Sequence, residues 1–252
     1  MACGNTRKTI QILTMFNADM PDREMYYNEY MTLKIIARIH NDYPQKFGIP
    51  RQSGLVRNES RIVFEKEYRD MNAVRGLEGF SHVWLLWGFS ETPPEEAFRP
   101  TVRPPRLGGS KRVGVFATRS PFRPNPIGLS SVVLKQTIET EEGPVLIVIG
   151  ADLLDGTPIY DIKPYLPEFD SHPEAKAGFV EDARYNTLEV EIDPEILNRI
   201  PQEHRAPLIQ ALEQDPRPHY QDDPERVYGM KYADLEIKFK VCRKRLIVIE
   251  II

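Results

Sequence analysis

The stretch Val113-Gly-Val-Phe-Ala-Thr-Arg-Ser-Pro-Phe-Arg-Pro-Asn-Pro-Ile-Gly-Leu-Ser-Ser-Val132 holds two apolar runs joined without a helix. Val113 to Thr118 predicts one short strand, and Leu129 to Leu134 predicts another. Between them prolines 121, 124 and 126 fix φ and remove backbone donors, so a stiff, non-helical loop is expected. The loop presents Arg119, Arg123 and Asn125 from a rigid frame, and polar loops held between strands often carry function. Composition alone leaves its role open between a stiff surface crossover and a working loop.

The same strand and loop alternation extends outward in both directions. Thr32–Ile39, Arg61–Phe64, Phe80–Phe89, Val145–Ile149 and Thr157–Ile162 read as short apolar strands, with Asp42–Gly54 as a Gly/Pro loop. Almost no helix separates them, so the fold expected is an antiparallel sheet closed into a barrel or folded as a sandwich. Around residues 164 to 186 the composition shifts to Pro, Glu, Asp and small residues, which suits a domain boundary. Beyond it Asn186–Ile192 predicts a strand, and Asp193-Pro194 predicts a helix start with Asp as N-cap and Pro at the first helical position. Leu208–Gln214 predicts a short helix, and Leu235–Val241 with Leu246–Ile252 a strand pair around a turn at Cys242–Arg245. The chain thus reads as mainly β: an N-terminal extension over 1–30, a β-barrel domain over 31–170, and a small α+β domain over 171–252.

Composition removes several functional classes. A chain of 252 residues, 41% hydrophobic and 28% charged, is ordinary globular material. No run of about 18 apolar residues occurs, so no membrane helix is expected, and Met1–Tyr30 lacks a signal-peptide pattern. A cytoplasmic location is the expectation. Cys3 and Cys242 stand at opposite ends, and histidines 40, 82, 172, 204 and 219 lack a metal-ligand spacing, so neither a disulfide framework nor a metal site is expected. Net charge is −4, which argues against a general polyanion binder. Yet Arg99 to Arg123 carries seven basic residues and no acidic one, leaving −11 on the rest of the chain. Such a positive stripe on an acidic body attracts a polyanion locally, although a solvated charge-rich loop has the same composition.

Four clusters hold chemistry-bearing side chains: Pro50-Arg51-Gln52 in a loop, Ser81-His82 at the head of an aromatic strand, Arg119 to Asn125, and Asp152-Leu-Leu-Asp-Gly-Thr-Pro158 in a tight turn. Each has a plainer alternative. Asp155 also suits an Asx turn, His82 a satisfied core histidine, and Trp84 and Trp87 suit core packing better than a stacking platform. Neither GxGxxG nor GxxxxGK[ST] occurs, which disfavours Rossmann and P-loop nucleotide binding. No GxSxG elbow is present.

Arg103-Pro-Pro-Arg-Leu-Gly-Gly109, Gly114 to Gly128, Asp155-Gly-Thr-Pro158, Asp161-Ile-Lys-Pro-Tyr165 and Asp215-Pro-Arg-Pro218 with Tyr220 make the chain, from about residue 31 onward, similar to the TsaA-like or TrmO family of bacterial tRNA adenosine N6-methyltransferases. The resemblance implies an antiparallel barrel that binds S-adenosylmethionine, a small C-terminal domain, a homodimer, and methylation of N6-threonylcarbamoyl-adenosine beside the anticodon of tRNA. It places cofactor contacts on Pro50, Arg51, Gln52, His82, Arg119, Leu129, Asp155, Gly156, Thr157 and Pro158. Asp155 is the first candidate for the catalytic base and His82 the second. Contacts to tRNA would fall on Arg123, Asn125, Lys163, Arg217 and Tyr220. Two rivals come from other classes: a non-catalytic RNA-binding β-barrel, which the basic stripe alone would suit, and a hydrolase using Asp155 and Asp161.

Overall fold

A computed structural model describes residues 32–92, 97–104, 111–182, 187–217 and 223–252. The expected extension over 1–30, and with it Arg106 and Tyr220, lies outside the described residues, and Lys34 to Ile252 form one compact body.

Six strands close into the antiparallel barrel: β1 (Ala37–His40), β2 (Glu59–Phe64), β3 (His82–Gly88), β6 (Ile127–Thr140), β7 (Gly143–Ile149) and β8 (Pro158–Pro164), in the order β1-β2-β7-β6-β3-β8. Ile39, Ile62, Val83, Leu85, Val132, Leu146, Val148 and Ile159 fill the interior with 1% exposure or less, and β7 is buried on both faces. Burying each such side chain is worth about 1.5–3 kcal/mol, so this interior is the main source of barrel stability. Closure needs a bend, and β6 supplies one where its pairing with β7 shifts register between Leu134 and Gln136.

Two predicted strands are shorter than expected. The strand expected over Thr32–Ile39 is β1 only from Ala37, opposite Phe64, the last residue of β2; Ile36 adds one backbone bond to Glu65 and one to Ile159, each 2.9 Å. The strand expected over Val113–Thr118 is reduced to β5 (Val113–Gly114), paired with β4 (Thr101–Val102) in a separate ribbon. Val115–Ala117 instead form a 3-10 turn, closed by the Thr118 amide and hydroxyl, which both donate to the Val115 carbonyl at 3.1 and 2.8 Å.

After β8 the short helices α1 (Pro167–Asp170) and α2 (Phe179–Asp182) precede a four-stranded sheet of β9 (Glu189–Glu191), β10 (Tyr228–Tyr232), β11 (Leu235–Cys242) and β12 (Arg245–Ile251), ordered β10-β11-β12-β9. Asp193 caps α3 (Pro194–Asn198) by accepting from the Glu195 amide at 2.8 Å, as expected. Helix α4 (Gln202–Glu213) starts six residues before the predicted Leu208, because burial of Leu208, Ala211 and Leu212 outweighs the proline inside it at 207. Strand β10 was not expected; its signal is the alternation of buried Tyr228, Met230 and Tyr232. The loop between β1 and β2 joins this second core, with Tyr43, Phe47 and Ile49 packed against it and Asp42 accepting from His204 at 3.0 Å. That loop carries Pro50, Arg51 and Gln52 back to the barrel mouth.

Candidate active site

A cavity of about 690 Å³ opens at the barrel mouth between the β1–β2 loop, the Pro-stiffened loop before β6, and the segment after β7. Its walls are largely aromatic, from Trp84, Trp87, Phe89 and Phe122. The floor depends on one glycine. Gly128 lies opposite Trp87 in the β3–β6 ladder, and a Cβ there would come within 2.2 Å of the indole, so only glycine lets Trp87 sit flush against β6.

Trp87, 8% exposed, donates its indole N–H to Ser130 Oγ at 3.0 Å, and the Ser130 hydroxyl donates to Asp152 Oδ1 at 2.6 Å. The chain has one direction, since indole nitrogen can only donate and the serine proton is therefore left for the carboxylate. Burial pushes the Asp152 carboxyl above its ordinary value; the Ser130 hydrogen bond, and the Arg119 guanidinium among smaller influences, pull it partway back.

Three arginines stand in the same cavity wall: Arg51, Arg119 and Arg123. Arg51 donates to the Asp215 carbonyl at 2.9 Å, Arg119 is hydrogen-bonded to the Gln52 amide oxygen, and Arg123 reaches the Thr118 carbonyl at 3.3 Å. Asp215 is itself gripped by Arg217 through two bonds of 2.9 and 3.0 Å, with the Arg217 side chain only 10% exposed. Arg217 therefore braces Arg51 from behind, through Asp215, whose backbone takes a left-handed φ of 49°.

The predicted site residues divide clearly. Pro50, Arg51, Gln52, Arg119, Leu129 and Thr157 line the cavity together, and so does Arg123, expected to face RNA. His82, Asp155, Gly156 and Pro158 do not. The Asp155 carboxylate is turned away, 43% exposed, accepting from the Asn41 amide at 3.0 Å and lying 3.5 Å from His40. His82 Nδ1 is 2.9 Å from the Ser81 hydroxyl, and its ring lies against Tyr165. Gly156 serves the turn with a φ of 74°, and Pro158 is buried at the start of β8. Asn125 is exposed outside the cavity, and Lys163 pairs with Asp161 at 2.8 Å on the far half of β8. Sequence reasoning did not single out Asp152 and weighed Trp84 and Trp87 toward core over a stacking platform, and Trp87 is in the buried core as well as in the cavity wall; the side-chain alternation that aims Asp152 inward depends on the course of a turn, which no spacing rule supplies.

A second, larger groove of about 1630 Å³ is continuous with the cavity, and Lys46, Arg51, Gln52, Arg119 and Phe122 line both. Arg99, Arg103 and Arg112 extend it along the β4–β5 ribbon, where Phe98 and Phe116, 57% and 71% exposed, stack with centroids 6.1 Å apart. Arginine beside exposed aromatic faces is the chemistry of unpaired nucleic-acid bases and their phosphates.

The cavity has room for a nucleoside-sized ligand. Its aromatic walls fit an adenine and the arginines fit a carboxylate, two of the groups that S-adenosylmethionine carries. Comparison with known proteins agrees. Residues 38–171 match the tRNA-methyltransferase O N-terminal domain and residues 185–252 the TrmO C-terminal domain. The chain is 42% identical over 215 residues to the tRNA (adenine(37)-N6)-methyltransferase of Escherichia coli, covering 82% of this chain and 91% of that protein. It is 42% identical to a putative S-adenosylmethionine-dependent methyltransferase of Pseudomonas aeruginosa, covering 84% and 93%. A crystal structure of TrmO from Pseudomonas aeruginosa superposes with a TM-score of 0.70 at 31% identity, covering 88% of this chain and 99% of that one. On these residues and this architecture, the chain belongs to the TrmO family.

Proposed function

We propose that this enzyme, an S-adenosylmethionine-dependent tRNA methyltransferase acting on N6 of adenine 37, takes the threonylcarbamoylated form of that adenine as its substrate. The observation that carries the reading is the continuity of the small cavity with the basic groove, which lets a polyanion in the groove deliver one base to the cavity mouth. The finer choice of substrate is supported by Arg123. It lines the cavity beside Arg119, so the wall holds more guanidinium than a single cofactor carboxylate needs, and a threonyl carboxylate can take a bidentate contact there.

When bound, the cofactor supplies an electrophilic methyl group on a positively charged sulfur. The protein supplies the rest. Trp84, Trp87, Phe89 and Phe122 hold flat rings and exclude water, Arg51 and Arg119 orient carboxylates, and the rigid loop at 121–126 fixes the approach of the substrate. The target nitrogen belongs to a urea, whose delocalised lone pair is a poor nucleophile until the proton leaves, so a positioned base is required.

Homodimer assembly and a cytoplasmic location are parts of the same proposal, resting on the family resemblance. The deciding experiment incubates the enzyme with methyl-labelled S-adenosylmethionine and tRNA carrying or lacking the threonylcarbamoyl group, followed by nucleoside analysis. Label only in the modified tRNA is expected; equal labelling of both overturns the substrate assignment. Sedimentation of the purified protein reports the dimer separately.

A further inference from the structure

We propose that Asp152 is the general base of the reaction and that Ser130 and Trp87 are its positioning residues, an assignment that rests on the methyl-transfer reading above. Among the described residues lining the cavity, the groups able to accept a proton are Asp152, Glu91 and Lys46. Lys46 lies 3.6 Å from Glu91, and that pair is about half exposed, so both belong to the solvated rim. Asp152 alone combines shelter from water with a defined orientation, because Ser130, 2% exposed, fixes Oδ1 and is itself fixed by the Trp87 indole.

The orientation comes from the fold. Trp87 lies on β3 and Ser130 on β6, adjacent barrel strands whose register places Trp87 against Gly128, two residues before Ser130 on the same strand face. A barrel wall thus supports the carboxylate, whereas Asp155 stands on the exposed side of the following turn. A sheltered carboxylate also holds a proton more readily than a solvated one, which suits a base acting on a weakly acidic urea nitrogen.

In the step, Asp152 accepts the N6 proton while the nitrogen pair forms the new N–C bond and the pair of the breaking C–S bond stays on sulfur. The neutral thioether leaves, and Asp152 returns its proton to water. Charge balances: one carboxylate and one sulfonium become one carboxylic acid and one thioether.

The test uses the full-length enzyme with modified tRNA. Asp152→Asn keeps the shape and the Ser130 hydrogen bond, and is expected to lower kcat about a hundred- to ten-thousandfold while cofactor affinity, measured by calorimetry, changes little. Wild-type kcat/KM should fall as pH drops through a value above the ordinary aspartate value. Ser130→Ala removes a hydrogen bond that favours the ionised form, so it should move this limb to higher pH, and carboxyl NMR of the free protein should show Asp152 titrating higher by the same amount. Retained kcat in Asp152→Asn overturns the assignment. So does loss of cofactor binding with kcat intact at saturation, which would make Asp152 a cofactor ligand only. A limb that stays in place while the NMR titration moves also overturns it. An inactive wild type on modified tRNA sinks the substrate reading itself, and is distinguishable from all three.

Discussion

Asp152 and Asp155 stand three residues apart in one turn, and their surroundings differ in every respect that matters to chemistry. Asp152 faces the cavity, ordered by a serine and an indole from two barrel strands. Asp155 faces solvent, accepting from the Asn41 amide and leaving His40 at its edge. The Asp-Gly dipeptide at 155–156 explains the second arrangement: the glycine takes the left-handed φ, and the aspartate secures the neighbouring loop as turn aspartates do. Identical functional groups separated by one turn can thus divide into a chemical and a structural role.

The largest effect that can break this contrast is on turnover. Asp155→Asn retains an acceptor for the Asn41 amide and gives up only an exposed ion pair, so it should cost less than about 1 kcal/mol of stability and leave kcat near wild type in a saturating methyl-transfer assay. If Asp155→Asn lowers kcat as far as Asp152→Asn does, the two carboxylates are not divided in this way. Next comes the floor beneath Asp152. Gly128→Ala forces the Trp87 indole to move, costing about 1–3 kcal/mol, and should loosen the Ser130 contact; thermal unfolding and the tryptophan emission spectrum report it.

Much of the frame around this contrast was legible in the sequence. Six barrel strands were visible because each is a short apolar run between Gly/Pro loops, and Asp193-Pro194 announced its helix through capping chemistry that is local by nature. The 3-10 turn at Val115–Ala117 was not legible, since it depends on how few residues β4 offers as a partner. Nor was the inward aim of Asp152. Composition marks 152–158 as a turn, but the face that each side chain takes follows from Asp155 N–H bonding to the Tyr43 carbonyl and Gly156 N–H to the Ile39 carbonyl, contacts more than a hundred residues away in the chain. The burial of Arg217 was not legible either: its partner Asp215 is close in sequence, but the burial comes from the tertiary fold, and the residue still lines the basic groove.

A smaller effect concerns the groove that feeds the cavity. Phe116→Ala removes one of the two exposed stacked rings, and should weaken tRNA binding about five- to a hundred-and-sixtyfold, the value of roughly 1–3 kcal/mol for one stacked base, with the salt dependence unchanged. Arg112→Ala should instead reduce the slope of log affinity against log salt by about 0.7, one phosphate contact on a single strand. Filter binding across a salt series separates the two. If Phe116→Ala leaves tRNA affinity intact but shifts the sedimentation coefficient, the ring pair belongs to a protein contact instead.

The smallest effect is on stability, and its sign follows from the same burial that orders Asp152. Burial raises its carboxyl above the value it has in the unfolded chain, so over the window between those two values the folded protein holds a proton that the unfolded chain has released. Stability therefore falls as pH rises through that window and stays at the lower level above it. Asparagine at 152 keeps the Ser130 hydrogen bond and has no proton to lose. Asp152→Asn should accordingly melt at a higher temperature than wild type at neutral pH, and the gain should shrink to nothing as pH falls below the ordinary aspartate value of about 3.9. A variant that is less active yet more stable, only above that window, is the behaviour of a charge buried for chemistry at the expense of folding.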